Sequence, residues 1–176
     1  MNKKANEQYR NNERVILSVF MKLLEKDDIQ KITVNEICQD AHINRSTFYN
    51  HFRDIYDVLD KVWDLHIQET GILFSKGRHF ENRRDNLRLI LENMKENRLL
   101  YRVSFHSPIR EKIYEGFHII FEIHELKKKD LKDEYYLQFY EQGFLFIISY
   151  WLDGDCDLDI EDMLDILERS YMVWVS

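Results

Sequence analysis

The chain is expected to be all-α, and three observations carry that expectation. It has five Gly and one Pro among 176 residues, too few turn residues for a β-rich fold. Its apolar residues recur at helical spacing over most of its length. Two helix-start signatures stand eleven residues apart between Ile32 and Phe52, with only a tight turn between them.

The first start has Thr33 as N-cap and Glu36 at the third helical position, the pattern of a capping box. Ile32 and Ile37 occupy the positions of a hydrophobic staple over that cap. The second start repeats the device with Asn44 as cap and Ile43 and Phe48 as staple. Asp40, Ala41 and His42 leave room for one turn, so the pair reads as a helix-turn-helix. Gly is the natural residue at the left-handed position of that turn; His42 stands there, and histidine tolerates positive φ better than most side chains.

A helical step of about 100° per residue turns Phe48 and Phe52 inward on the second helix. Ser46, Thr47 and Asn50 then face away, flanked by Arg45 and Tyr49 on one side and His51 on the other. This outward set has no carboxylate, and every member can donate a hydrogen bond. An ordinary solvated helix face would also carry Glu or Asp. A donor-only face suits the acceptor-rich major groove, where Arg grips guanine and Asn pairs with adenine.

These residues resemble the DNA-binding domain of TetR-family transcriptional regulators over about Arg14 to Leu59. The pieces that carry the resemblance are an amphipathic helix (RVILSVFMKLLEK), the helix-turn-helix (TVNEICQDAHI, NRSTFYNHF) and a capped fourth helix (RDIYDVL). Carried over residue by residue, the resemblance implies base contacts from Arg45, Ser46, Thr47 and Asn50, with Asn35 as a further one. It implies phosphate contacts from Thr33, Tyr49 and His51. One position departs from the pattern: after Asp54 the family commonly has a Lys near a phosphate, and here Ile55 follows, with Arg53 as the nearby substitute.

Composition bounds the remainder. The net charge is −7, unpromising for a nucleic-acid partner until its distribution is considered. Residues 1–53 hold nine Lys and Arg against seven Asp and Glu, while the rest holds sixteen against twenty-five. The acidic part repels phosphate, leaving the approach to the N-terminal cations. Lys3, Lys4 and Arg10 fit either a solvated tail or a phosphate-touching arm. Cys38 and Cys156 lie far apart without metal-ligand spacing, so neither a disulfide framework nor a zinc site is expected. The N-terminus lacks the apolar core of a signal peptide, and no run reaches the ~18 apolar residues of a membrane span. A soluble protein of the reducing cytoplasm, without a membrane partner, is expected.

Asp54 and Asp57 open a long helix through about Phe74 that links the reader to a body. Asp85 is read as the cap of the next helix, Arg98 to Phe105 as a short one, and Ser107-Pro108 as the start of another from Ile109 to about Leu126. From Asp133 to Leu152 the sequence is apolar on more than one face, so it must be covered on more than one face. Asp159 and Asp162 start the last helix. Residues 1–53 are thus assigned to a three-helix helix-turn-helix domain and 54–176 to a helical effector-binding and dimerisation domain.

The last two helices suggest a two-fold, four-helix interface using Phe144, Ile148 and Trp151 with Met163, Leu167, Ser170 and Trp174. Gly143, costly in a helix interior, fits a closely crossing helix. Aromatic and polar residues on the central helices are candidates for an effector pocket: Trp63 and His66, then Phe105, His106 and Tyr114, then Phe117, His118 and Phe121. The C-terminal pattern is similar to a TetR subgroup that includes regulators of dihydroxyacetone kinase operons, which implies a dimerising body.

Enzyme readings fail on spacing. His124 and Glu125 open like a zinc-protease motif without its second histidine. Asp153, Asp155, Asp157 and Asp159 alternate like a calcium loop, but Gly154 is misplaced. There is no Gly-rich phosphate loop or GxSxG elbow, so neither enzyme activity nor a cofactor is expected. The expected function is a homodimeric transcriptional regulator, a repressor that leaves a palindromic operator in double-stranded DNA when a small molecule binds. Control by a protein partner is the alternative within that class. A helical ligand-binding or interaction module without DNA binding is the alternative outside it.

Overall fold

Every element among the described residues, 3–76, 83–123 and 131–175 of a computed structural model, is helical. By internal contacts the chain divides into two units, Met1–Leu73 and Phe74–Ser176. The sequence-based boundary at 53/54 assigned the linking helix to the body. Contacts group most of that helix with the reader instead.

In the N-terminal unit, α1 (Lys3–Leu24) buries Ile16, Phe20 and Leu24 on one face, the spacing of an amphipathic helix. It begins well before Arg14, so the segment read as either a tail or an arm is helical from Lys3 onward. The turn into α2 (Val34–Asp40) carries the complete capping box. The Thr33 hydroxyl accepts from the Glu36 N–H at 3.2 Å, and the Glu36 carboxylate accepts from the Thr33 N–H at 2.8 Å. The Thr33 hydroxyl also donates to that carboxylate, and these bonds hold Glu36 below the usual carboxylate range. Ile32 and Ile37 are both buried beside the cap.

His42 has φ 53°, the left-handed conformation its position in the turn requires. The second start, at α3 (Arg45–Tyr49), differs from expectation. Asn44 has the extended backbone of an N-cap, but its side chain makes no capping hydrogen bond. Phe48 is fully buried and does the anchoring, with Phe52 at 5.9 Å between ring centres. The Asp54 carboxylate then accepts from the Asp57 N–H at 2.9 Å and starts α4 (Ile55–Lys76). Lys61 of α4 pairs with Glu13 of α1 at 3.6 Å.

The C-terminal unit is built around α8 (Leu131–Asp153), which packs against α6 (Arg98–Phe105), α7 (Arg110–Ile123) and α9 (Ile160–Val175). The remaining helix, α5 (Arg83–Glu96), packs on α9 and α6. Asp85 lies in the first turn of α5 instead of capping it. Arg84 reaches Asp165 at 2.8 Å and Glu161 at 3.0 Å and also bonds Glu168, while Arg88 joins Glu161. The Ser107 hydroxyl accepts from the Ile109 N–H at 3.3 Å, and the Asp159 carboxylate accepts from the Asp162 N–H at 2.9 Å. Both starts were expected at these residues.

The turn between α8 and α9 is tied down by protein groups. Asp155 and Cys156 take φ of 59° and 58°. Asp155 pairs with Arg98 at 2.5 Å, Asp153 meets His106 at 2.9 Å, and the Trp151 indole N–H donates to the Leu158 carbonyl at 2.9 Å. Burial pushes the Cys38 and Cys156 thiols up, and both are free.

The residues chosen for a dimer surface need correction. Phe144, Ile148, Trp151, Met163 and Leu167 are at most 4% exposed in the single chain. A side chain already covered by its own fold has no area left to give a partner. The side chains of Ser170 and Trp174 lie outside the described residues. The uncovered side of α8 carries different aromatics: Tyr135, Phe139, Phe146 and Tyr150 are 72%, 64%, 71% and 74% exposed. Gly143 is also exposed, and a Cβ there would meet nothing within 4 Å. Among the described residues no helix crosses closely at that glycine.

The left-handed backbone at His42 costs a side chain more than it costs Gly, an advantage partly offset by the greater freedom of Gly in the unfolded chain. His42→Gly is expected to raise stability by roughly 0.5 kcal/mol, read from the urea unfolding midpoint. A lower midpoint would show that the imidazole contributes contacts of its own.

Candidate nucleic-acid interface

The outward face of the reader is held by what lies under it. Phe48 and Phe52 are buried, and Tyr49 meets the Phe48 ring edge-on at 5.5 Å. With Phe48 fixed inward, Arg45, Ser46, Tyr49 and Asn50 are exposed, and Thr47 is half-buried. Thr33 and Asn35 are exposed at the start of α2. The candidate residues thus sit exposed or half-buried at the starts of α2 and α3 and at the end of α3.

Their side chains are not equally free. The Arg45 guanidinium donates to the Tyr49 hydroxyl at 3.3 Å and lies 6.0 Å from its ring centre. That pairing joins the expected base reader to an expected phosphate contact one turn away, and keeps both on the solvent side. Asn50 is the C-cap of α3. His51 lies beyond the helix, half-buried, and burial lowers its imidazole below the ordinary histidine range against the opposing pull of Glu13.

Arg53 departs most from expectation. Its guanidinium grips Asp57 through two nitrogens, at 2.6 and 3.2 Å, and its backbone N–H donates to the same carboxylate at 2.9 Å. The side chain is 87% exposed, yet its charge is spent on closing the start of α4. These contacts hold the Asp57 carboxyl below its usual range. Arg45, by contrast, bonds the Tyr49 hydroxyl and not a carboxylate.

Residue-by-residue reading missed Tyr9. It comes from α1, and its hydroxyl donates to the Asn50 carbonyl at 3.3 Å. Its ring lies 3.9 Å from that of His51. No local pattern around Tyr9 announces this contact with a residue 41 positions away.

The effector candidates fall in separate places. Trp63 and His66 are buried in the N-terminal unit's sequence, with rings 5.9 Å apart. Phe105 is buried core, 6.3 Å from Tyr114, and His106 is exposed and paired with Asp153. The side chains of His118 and Phe121 lie outside the described residues. Among the candidates whose side chains are described, Tyr114 and Phe117 line a cleft of about 260 Å³ between α7 and α8. Glu115, Gln138, Glu141, Gln142 and Leu145, none of them foreseen, also line it.

Residues 16–62 match the family model described as bacterial regulatory proteins, tetR family. Residues 81–172, more than half of the chain, match the TetR-type model described as transcriptional regulator C-terminal region. The chain is similar to the HTH-type dhaKLM operon transcriptional activator DhaS of Lactococcus lactis subsp. lactis (strain IL1403). The two are 26% identical over 165 residues, which cover 90% of this chain and 84% of the relative. A solved structure titled dihydroxyacetone kinase operon activator DhaS shares the fold, with a TM-score of 0.53 and 18% identity over 93% of this chain and 94% of the other.

A carboxylate held below its usual range stabilises the fold above the unfolded-state value, and that stability is lost as pH falls through the folded value. Asp57→Asn is therefore expected to lower the urea midpoint at pH 7 and to differ less from the parent at an acid pH below the ordinary carboxylate range. An equal deficit at both pH values would show that the charge on Asp57 is not what stabilises the start of α4.

Proposed function

Because the chain belongs to the TetR family of bacterial transcriptional regulators, we propose that it acts as a homodimer on a two-fold symmetric operator and that an effector in its C-terminal unit changes the affinity. The observation that carries this reading is the exposed, carboxylate-free face of α3, fixed by the full burial of Phe48. Arg45, Ser46, Thr47 and Asn50 read base edges in the major groove, with Asn35 at its rim. Thr33, Tyr49 and His51 hold phosphates and set register. Arg53 is left out of the phosphate set, because Asp57 already neutralises it.

Two readers must stand about 34 Å apart to enter successive major grooves, which requires a second copy. The outer face of α8 supports that assembly. Tyr135, Phe139, Phe146 and Tyr150 form one exposed aromatic stripe with Gly143 on it, and a matching helix from a second copy covers such a stripe about a two-fold axis. An effector that binds more tightly at one reader spacing than at another shifts the dimer between operator-binding and released forms. The cleft between α7 and α8, beside the stripe-bearing helix, is the place proposed for it.

Among the described residues no helix is long and apolar enough to cross a membrane, in keeping with a cytoplasmic regulator acting on chromosomal DNA. Release of a repressor by a small molecule is the first reading of the response. The name of the Lactococcus relative, an operon activator, favours activation as the second. The two differ in where the operator lies relative to the promoter and use the same protein surface.

Arg45→Ala is expected to cost about 1–3 kcal/mol of operator affinity, with discrimination lost at one base pair of each half-site. Affinity equal to the parent's would remove Arg45 from the reading set. Phe146→Glu with Tyr150→Glu is expected to give monomers by light scattering and to weaken operator binding, since each half-site would then be held alone. Dimers persisting in that variant would place the assembly on another surface.

A further inference from the structure

Tyr9 is not a core residue. It is 45% exposed and stands about two turns before Ile16, the first fully buried position of α1. What it touches is the end of the recognition helix. Its hydroxyl donates to the carbonyl of the C-cap Asn50 at 3.3 Å, one of the acceptors that a helix end leaves without an internal partner. Its ring lies 3.9 Å from the His51 imidazole and tilted by 35°. The Phe52 ring stands 6.1 Å away from the same imidazole.

The consequence falls on the two nitrogens of His51. Nδ1 is buried and has no hydrogen-bond partner among the described residues. Nε2 is not closed off in this way. Burial disfavours the imidazolium, while Glu13 on α1, itself paired with Lys61 of α4, acts in the opposite direction. The neutral ring has one proton to place. A proton on Nδ1 would be a buried donor without an acceptor, so cover over that nitrogen, to which the Tyr9 ring contributes, favours the proton on Nε2; the tautomers also differ in what Nε2 offers outward. With the proton on Nε2 the ring donates to a phosphate oxygen; with it on Nδ1 the ring points a lone pair at that oxygen and repels it.

We propose that Tyr9 is a positioning residue for DNA binding: it holds the turn after α3 so that His51 keeps its proton on Nε2 and presents that N–H to a backbone phosphate. The proposal rests on the phosphate contact assigned to His51 under Proposed function. It adds a residue from α1 to the reading apparatus and gives the helical N-terminal extension a purpose.

The test uses the full chain and a duplex carrying an operator selected by the protein itself. Tyr9→Ala is expected to lose about fivefold in operator affinity. Tyr9→Phe, which keeps the ring against His51 and loses only the hydroxyl's bond to Asn50, is expected to recover part of that loss. In a His51→Ala background, Tyr9→Ala is expected to add nothing, since Tyr9 acts through His51. Nitrogen NMR of histidine-labelled protein without DNA should show His51 as one tautomer, protonated on Nε2 and titrating below the ordinary range. In Tyr9→Ala the tautomers should mix and the titration should move up.

An undiminished loss from Tyr9→Ala in the His51→Ala background would overturn the proposal, as would an unchanged tautomer in Tyr9→Ala. The two layers fail differently. If His51→Ala binds the operator as the parent does, the phosphate assignment falls and this proposal with it. If His51→Ala binds weakly while Tyr9→Ala binds normally, only the positioning role falls.

Discussion

A helix of five residues cannot hold itself. At the length of α3 the cost of nucleating a helix exceeds what its own hydrogen bonds return, and Asn44 adds no side-chain cap. Its orientation is imposed by Phe48, which is fully buried and packs with Phe52. The capping box at Thr33 fixes α2, the left-handed backbone of His42 turns the chain, and Phe48 locks the result. Every donor on the outer face of α3 inherits its direction from that one buried ring. The reader thus depends on packing beneath the surface more than on any bond within it.

The same dependence explains how charge is distributed over the reader. Arg45 is steadied by Tyr49, while Arg53 is consumed by Asp57 at the start of α4. A chain with a net charge of −7 that neutralises one of its few reader cations internally is poorly suited to non-specific attraction to DNA. On the function proposed above, its hold on an operator comes from directed hydrogen bonds and from presenting the surface twice. That second condition moves the burden to α8. Its inner face is filled by its own neighbours, and its outer face offers the aromatic stripe.

Local signals were legible and long-range ones were not. The capping box, the strained turn at His42, the start at Ser107 and the bounds of α6 all follow from residues within a turn or two of one another. The pairing of Arg53 with Asp57 has helical i, i+4 spacing and was open to the same reasoning. Tyr9 on His51 spans the whole reader in sequence, and no periodicity encodes it. The residues expected at a dimer surface are covered within the single chain for a related reason. A helix apolar all round has no strong amphipathic direction, so its pattern shows that two faces are covered without showing which neighbour covers each. Phe144 and Trp151 went inward and Phe146 and Tyr150 outward. Only the packing of α6, α7 and α9 decides that.

The central claim is that the surface locked by Phe48 recognises duplex sequence in symmetric pairs. Sequencing the genomic fragments retained by the purified full-length chain, at modest ionic strength with random duplex in excess, tests it most directly. The account predicts a recovered motif with two inverted half-sites whose centres lie one helical turn apart, about 10 base pairs, or a multiple of it. Fragments no richer in any motif than the competitor would contradict it.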